Sequence, residues 1–282
     1  MFRIFILIGL TYLFLHLHAT GDISKYINMK YAYISESAIY IFIAFTLICL
    51  YNYMKKDKTD HVHGDSCEHC GHDHAKEENT WWKRGFTFVI LLLPVFTGLF
   101  FPVATLDSNI VEKKGLYFPI YDEGDEYSQR QFLQPNTSSY YGKDGYVELM
   151  DKGMKKLANK EKITLKEDTF LNDLETIYNY PGQFLGRSLS LTGFTFHEDE
   201  LKGNRLFLLR FGIIHCIADS GVYGILLDIP DEMSTENDQW LQVTGTLDSV
   251  YYQPFKKTIP VLKVTKWKSI AEPEDPYVYR QA

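Results

Sequence analysis

Cysteine is scarce in this sequence. Its four are Cys49, Cys67, Cys70 and Cys216. Only Cys216 falls after residue 104, so no internal disulfide braces that region and its core must hold it together. Basic charge is also short, with 29 Lys and Arg against 36 Asp and Glu, a net of −7. Residues 1–104 carry nine of each sign, and the remainder carries 20 basic against 27 acidic residues. The whole excess of negative charge therefore lies in the C-terminal region. Such a region repels phosphate backbones, which argues against nucleic acid as a partner. No paired-carboxylate motif and no nucleophile–base–orienter set occurs either. No catalytic residue is assigned, and the chain is not expected to be an enzyme.

What is plentiful near the N-terminus is apolar length. A slightly negative mean hydropathy of −0.19 conceals it. Apolar runs at 2–19, 38–54 and 86–104 each approach the ~20 residues a helix needs to cross a bilayer. None has Asp, Glu, Lys or Arg at mid-depth, where an ion or proton path would show them. Tyr31 and Tyr33, Tyr51 and Tyr53, and Trp81 and Trp82 flank the second and third runs as interfacial aromatics do. Pro94 predicts a kink in the third run and Pro102 its end. A cleaved leader is the alternative for the first run. The Tyr and His residues inside it and the two runs that follow argue against that. His16 and His18 lie two apart, on different helix faces, and are not read as a ligand pair.

Basic residues set the expected orientation. Lys55, Lys56, Lys58, Lys76, Lys83 and Arg84 lie between the second and third runs, and only Lys25 and Lys30 between the first and second. The richer side faces the cytoplasm. The protein is therefore expected to be a multi-pass cell-membrane protein. Its N-terminus and loop 55–84 are inside, and everything after residue 104 is outside.

That inner loop holds the sharpest chemical signal. From His61 to His74 it reads HVHGDSCEHCGHDH, gathering five of nine histidines and two of four cysteines. Imidazole and thiolate are preferred ligands of zinc and similar borderline metals. Cys67 and Cys70 have the gap that lets both sulfurs reach one tetrahedral ion. His61, His63, His69, His72 and His74 supply nitrogens, and Asp65, Glu68 and Asp73 add oxygens. The ligands outnumber what one ion can use, and few apolar residues are at hand to build a rigid core. A tract that buffers, senses or hands over zinc is expected; a merely polar linker is the alternative.

Beyond residue 104 a polar, turn-rich stretch leads to about residue 159. Val147, Met150, Met154 and Leu157 predict a short helix over 145–160, and 164–178 is ambiguous, with Phe170, Leu171, Leu174 and Ile177 also at helical spacing. From residue 187 the pattern becomes that of strands at 187–196, 206–214, 222–229, 240–250 and 259–270. Gly193 and Gly245 lie inside strands where a barrel must bend. The expected fold is three membrane helices (1–104), an α or irregular extracytoplasmic region (105–185) and an OB-like five-stranded barrel (186–282), with a sandwich as the alternative. Within it Arg210, His215, Cys216 and Asp219 form a candidate small-ligand or metal site. The competing reading is a buried Cys, a hydrogen-bonded His and an Asp that starts a turn. Adjacent strand residues point to opposite faces, which disfavours a direct His215–Cys216 catalytic pair.

The order of elements and the segments LLLPVFTGLFFP, GQFLGRSLSLTGF, FLLRFGIIHCIADS, WLQVTGTL and PEDPYVY carry a family resemblance over nearly the whole chain. The chain resembles the YcgQ-type family of uncharacterised bacterial membrane proteins, regarded as subunits of two-component permeases. The resemblance implies a larger polytopic permease as partner, within membrane lipid, but no substrate and no catalytic residue. It also implies two adjacent cysteines where this chain has His215 and Cys216. His preserves a metal ligand there, whereas a vicinal redox pair would be lost. The expected function is an accessory permease subunit linked to zinc transport or homeostasis. A stand-alone metal sensor and, last, an extracytoplasmic enzyme are the alternatives.

Overall fold

A computed structural model describes residues 2–56, 81–101, 106–116, 137–198, 201 and 204–280. Loop residues 57–80, with the whole His/Cys tract, lie outside the described residues, as do 102–105 at the end of the third apolar run. The chain divides into two units, Met1–Ser24 with Met29–Ala104, and Lys25–Asn28 with Thr105–Ala282.

The first unit consists of helices α1 (Phe2–Thr20), α2 (Ala32–Lys56) and α3 (Trp81–Phe100). Two segments, Arg3–Thr20 and Met29–Lys55, are long and apolar enough to cross a membrane, while the apolar part of α3, Gly85–Phe100, is shorter. Most of their large apolar side chains face outward: Phe5, Tyr40, Phe45, Leu47, Phe86 and Phe96 are all more than half exposed. In water such surface would be untenable, and in hydrocarbon it is the ordinary outer face of a span. This is therefore a membrane protein. Helix α1 packs on both α2 and α3. Small residues allow the second contact, because a β-carbon on Gly98 would stand 2.8 Å from Leu13 and one on Gly9 3.2 Å from Val95.

In the second unit α4 (Ser108–Lys114), α5 (Thr137–Leu157) and α6 (Phe170–Asn179) accompany strands β1 (Lys162–Thr164), β2 (Ser188–Phe196), β3 (Arg205–Ile213), β4 (Gly221–Asp228), β5 (Trp240–Tyr252), β6 (Lys257–Ser269) and β7 (Tyr277–Tyr279). The five expected strands are all present, within two residues of their predicted ends. The short β1 and β7 were not expected, and the helix expected over 145–160 starts earlier and is kinked at Gly142.

The fold is a mostly β domain with one hydrophobic core, shared by α6 and the sheet. Strand pairing runs β2–β3, β3–β4, β4–β6, β6–β5 and β5–β2, so these five strands form a circuit. All pairs in it are antiparallel except β4–β6. Strand β1 adds parallel to β2, and β7 adds parallel to β3. Gly193 and Gly245 stand where backbones approach closely, facing the carbonyls of Leu209 and Lys263. The β5–β6 register shifts between Thr244 and Gly245, as expected of a glycine at a bulge.

Helix α6 shows why 164–178 reads ambiguously. Phe170, Leu171, Leu174, Ile177 and Tyr178 keep helical spacing, but Asp173, Glu175 and Thr176 are buried too. A helix enclosed on every side has no polar face to betray its period. Its buried acids need partners: Asp173 takes Lys156, 17 residues away, and Glu175 takes Arg280, 105 residues away.

Candidate functional site

The segment after β3 turns sharply. Ile217–Asp219 forms a 3-10 turn preceded by Cys216 in extended conformation. Asp219 organises it: its carboxylate accepts from the backbone N–H of His215 at 3.1 and 3.0 Å and from that of Cys216 at 3.0 Å. The His215 ring Nδ1 lies 2.7 Å from the same carboxylate. His215, Cys216 and Asp219 are thus brought together, in the geometry of an Asp that caps a turn. Among the described residues no group of three or more His, Cys, Asp or Glu side chains is arranged to hold a metal ion.

Convergence of His215 and Asp219 is the condition under which an enzyme reading would gain support. Here the carboxylate is engaged by backbone donors as well as by the ring.

Arg210 has other partners. It is fully buried on β3, with Nη2 donating to the carbonyls of Asp275 (3.4 Å) and Tyr277 (3.2 Å) and its guanidinium 5.0 Å from the Trp240 ring centre. Burial lowers its pKa, opposed by Glu167, Asp275 and Tyr279. Its Nε has no hydrogen-bond partner among the described residues. The arginine fastens the tail before β7 and stacks on an indole.

Beside the His215 turn lies a short piece of the connection between α1 and α2. Ile27 pairs antiparallel with Cys216. The backbone N–H of Asn28 donates to His215 O at 2.9 Å, and that of Ile217 to Tyr26 O at 2.8 Å. Asn28, only 4% exposed, donates through Nδ2 to Ile214 O at 2.9 Å and to Arg280 O at 3.0 Å. Arg280 in turn donates its backbone N–H to Ile213 O at 3.1 Å, Nη1 to Asn172 at 2.5 Å, and Nη2 to Glu175. Arg280 and Glu175 form a fully enclosed ion pair.

Sequence reasoning missed Asn28, Asn172, Glu175 and Arg280. The side-chain bonds that join them span 105 to 252 residues, and no local window carries such a pairing. No local signal marks Glu175, which sits in the mixed segment LNDLETIYN.

Comparison with known proteins covers both units. Residues 2–117 match the DUF1980 N-terminal domain and residues 140–280 the DUF1980 C-terminal domain. The chain is 49% identical over 283 residues to the UPF0703 protein YcgQ of Bacillus subtilis (strain 168), with 99% of each chain covered. It is 34% identical over 286 residues, again with 99% of each covered, to a protein of Streptococcus mutans serotype c. That relative carries the provisional name of a two-component membrane permease complex subunit.

Proposed function

The chain belongs to the DUF1980 family, and on that premise we propose that it is the accessory subunit of a two-component membrane permease. The name of the Streptococcus relative supports the role, and neither relative's name is an enzyme's. Three spans alone scarcely enclose a transport path, which favours a polytopic partner within the same lipid.

The observation that carries this reading is the 34% identity, over 99% of both chains, to the Streptococcus relative named as a permease complex subunit, and the pairing of Ile27 with Cys216 bears on its topology. Lys25–Asn28 and the domain after residue 104 form one folded unit, which supports a topology with both on one side of the membrane. The chain between them then crosses an even number of times. With α2 spanning, α3 spans too, despite its shorter apolar stretch. The count of three crossings rests on this parity, and the basic loop 55–84 supports an inner location for that loop. The five-strand circuit with its single parallel pair supports the reading of a small OB-type barrel. On this account 1–104 is the membrane part, 105–185 the extension and 186–282 the barrel.

The inner loop makes zinc the favoured metal to be moved or sensed, through His61, His63, Cys67, His69, Cys70, His72 and His74. A stand-alone metal sensor is the second reading, favoured by the same ligand-rich sequence. Purification of a tagged chain from its own cells in mild detergent separates the two. A stable polytopic partner in near-equal amount is expected, and recovery of the chain alone at native expression would overturn the permease reading. Zinc binding is tested on the full chain, where replacing all seven ligands with Ser should abolish it. Undiminished binding would remove the loop from the account.

A further inference from the structure

One side of the strand circuit is covered and another is bare. Helix α6 closes the side formed by β3 and β4: Tyr178 donates to Gly224 O at 2.8 Å, and a β-carbon on Gly212 would stand 2.8 Å from Leu171. Strands β1, β2, β5 and β6 instead keep an outward face at exposed and half-buried positions that alternate with buried ones.

Cross-strand register composes that face. Its middle row runs Thr164, Ser190, Thr244 and Lys266. The row on one side ends on Lys162 and Lys263, and the row on the other pairs Gln242 with Lys268. Every residue in these rows is Ser, Thr, Gln or Lys. No acid stands in them, although acids outnumber bases 27 to 20 after residue 104. The next outward residue of β5, Asp248, is held by Lys263. Among the described residues no carboxylate pairs with Lys162, Lys266 or Lys268. The domain repels phosphate on average, and this face is the local exception.

Its chemistry selects the occupant. Lysine is a point charge for phosphate, and hydroxyl and amide groups donate to phosphate oxygens. Ser190 and Thr244 spend their hydroxyl protons on Val243 O and on Ser190, while Thr164 and Gln242 stand exposed with donors to offer. The charge is divided, with Lys162 on β1 and Lys266 and Lys268 on β6, three strand spacings or about 14 Å away. One phosphate cannot touch both, so the fitting ligand carries repeated charges. Three lysines fall below the roughly four to eight that hold a segment on anionic lipid, and the rows have no apolar residue to insert. Nor do the rows offer an aromatic ring for a base to stack on, since Trp267 lies opposite buried Val243, on the alternate side of β6. Protein interfaces disfavour lysine.

We propose that this face binds a linear, phosphate-bearing polymer without bases, laid across the strands from Lys162 to Lys266 and Lys268. The site stands whether or not the chain has a permease partner.

Binding of long-chain inorganic polyphosphate to the full chain in neutral-lipid nanodiscs tests it. With three lysine contacts, affinity is expected to fall about 20-fold between ~50 and ~200 mM salt. The triple variant Lys162→Gln, Lys266→Gln and Lys268→Gln should bind at least about tenfold more weakly at the lower salt and lose most of that salt dependence. The triple Lys→Arg variant at the same positions should keep both. Unchanged binding in the Gln variant would overturn the proposal. A measurement on the native chain covers failure of that variant to fold. With polymer at about ten times its Kd, acylation of Lys162, Lys266 and Lys268 should slow about tenfold, and that of Lys152 on α5 should not. Equal slowing at all four, or none, would refute the site. Single-stranded DNA of equal charge should bind more weakly, and equal or tighter binding would overturn the polymer class. Slowing of the same acylations by anionic lipid in the nanodisc, without polymer, would assign the face to lipid and overturn it too.

Discussion

The side-chain amide of Asn28 donates to the backbone carbonyl of Arg280 at 3.0 Å, joining residues 252 positions apart. One of them lies in the connection of a membrane hairpin and the other near the end of the last strand. Their bond makes the second unit a product of both ends of the chain.

The ion pair that Arg280 makes with Glu175 gives the first prediction. Both side chains are enclosed. Removing one partner leaves a buried charge, so Arg280→Met or Glu175→Gln is expected to cost about 3–5 kcal/mol. The double substitution Glu175→Met with Arg280→Met should cost less than Arg280→Met alone. Denaturant unfolding of the variants measures this, and a double variant worse than Arg280→Met would contradict it.

Alkaline pH gives the second. Tyr178 is buried, donates to Gly224 O at 2.8 Å, and burial pushes its pKa far above the ordinary 10.0. Its folded pKa is raised, so the unfolded chain releases this proton first. The contribution is fully present below pH ~10 and is lost as pH rises beyond it. Burial raises Tyr277 as well, so it adds to the slope. Tyr178→Phe is expected to lose about 1 kcal/mol at neutral pH with its hydrogen bond, and then to fall less steeply above pH ~10. Thermal unfolding across pH ~8 to ~11 checks the slope, and parallel curves would contradict the assignment.

Helix packing in the first unit gives the third. A β-carbon on Gly98 would lie 2.8 Å from Leu13, so Gly98→Ile is expected to force α1 and α3 apart and lower the yield of monodisperse protein. Leu13→Ala should restore much of that yield by vacating the space. Size-exclusion profiles in one detergent compare the variants. No rescue would mean that the two residues do not share this contact.

The strands were legible in the sequence because branched and aromatic residues recur between Gly, Pro and Asp punctuation, as in 222–229 and 259–270. Helix α1 and α2 were legible by apolar length alone. What could not be read was the pairing of distant polar groups. Asn28 looks like a loop residue, and Glu175 like the polar side of an amphipathic helix. Asp219 reads from the sequence as the start of a turn, whereas it ends the 3-10 turn Ile217–Asp219 and bonds back to the N–H groups of His215 and Cys216. The sequence groups Arg210 with His215, Cys216 and Asp219, but the bonds of Arg210 go to Asp275 and Tyr277, links that no local pattern announces. The helical period of α6 was blurred by burial on all its sides.

Sidedness tests the account at its centre. In a chain with all native cysteines changed to Ser, Lys30→Cys and Thr258→Cys, both at exposed positions, provide separate thiols before α2 and in the domain. A third protein keeps only Cys67 and Cys70. A membrane-impermeant maleimide is applied to intact cells and again after permeabilisation. The account predicts labelling of Lys30→Cys and Thr258→Cys in intact cells, and of Cys67 and Cys70 only after permeabilisation. Labelling of the first two on opposite sides, or of the Cys67/Cys70 loop from outside, would contradict it.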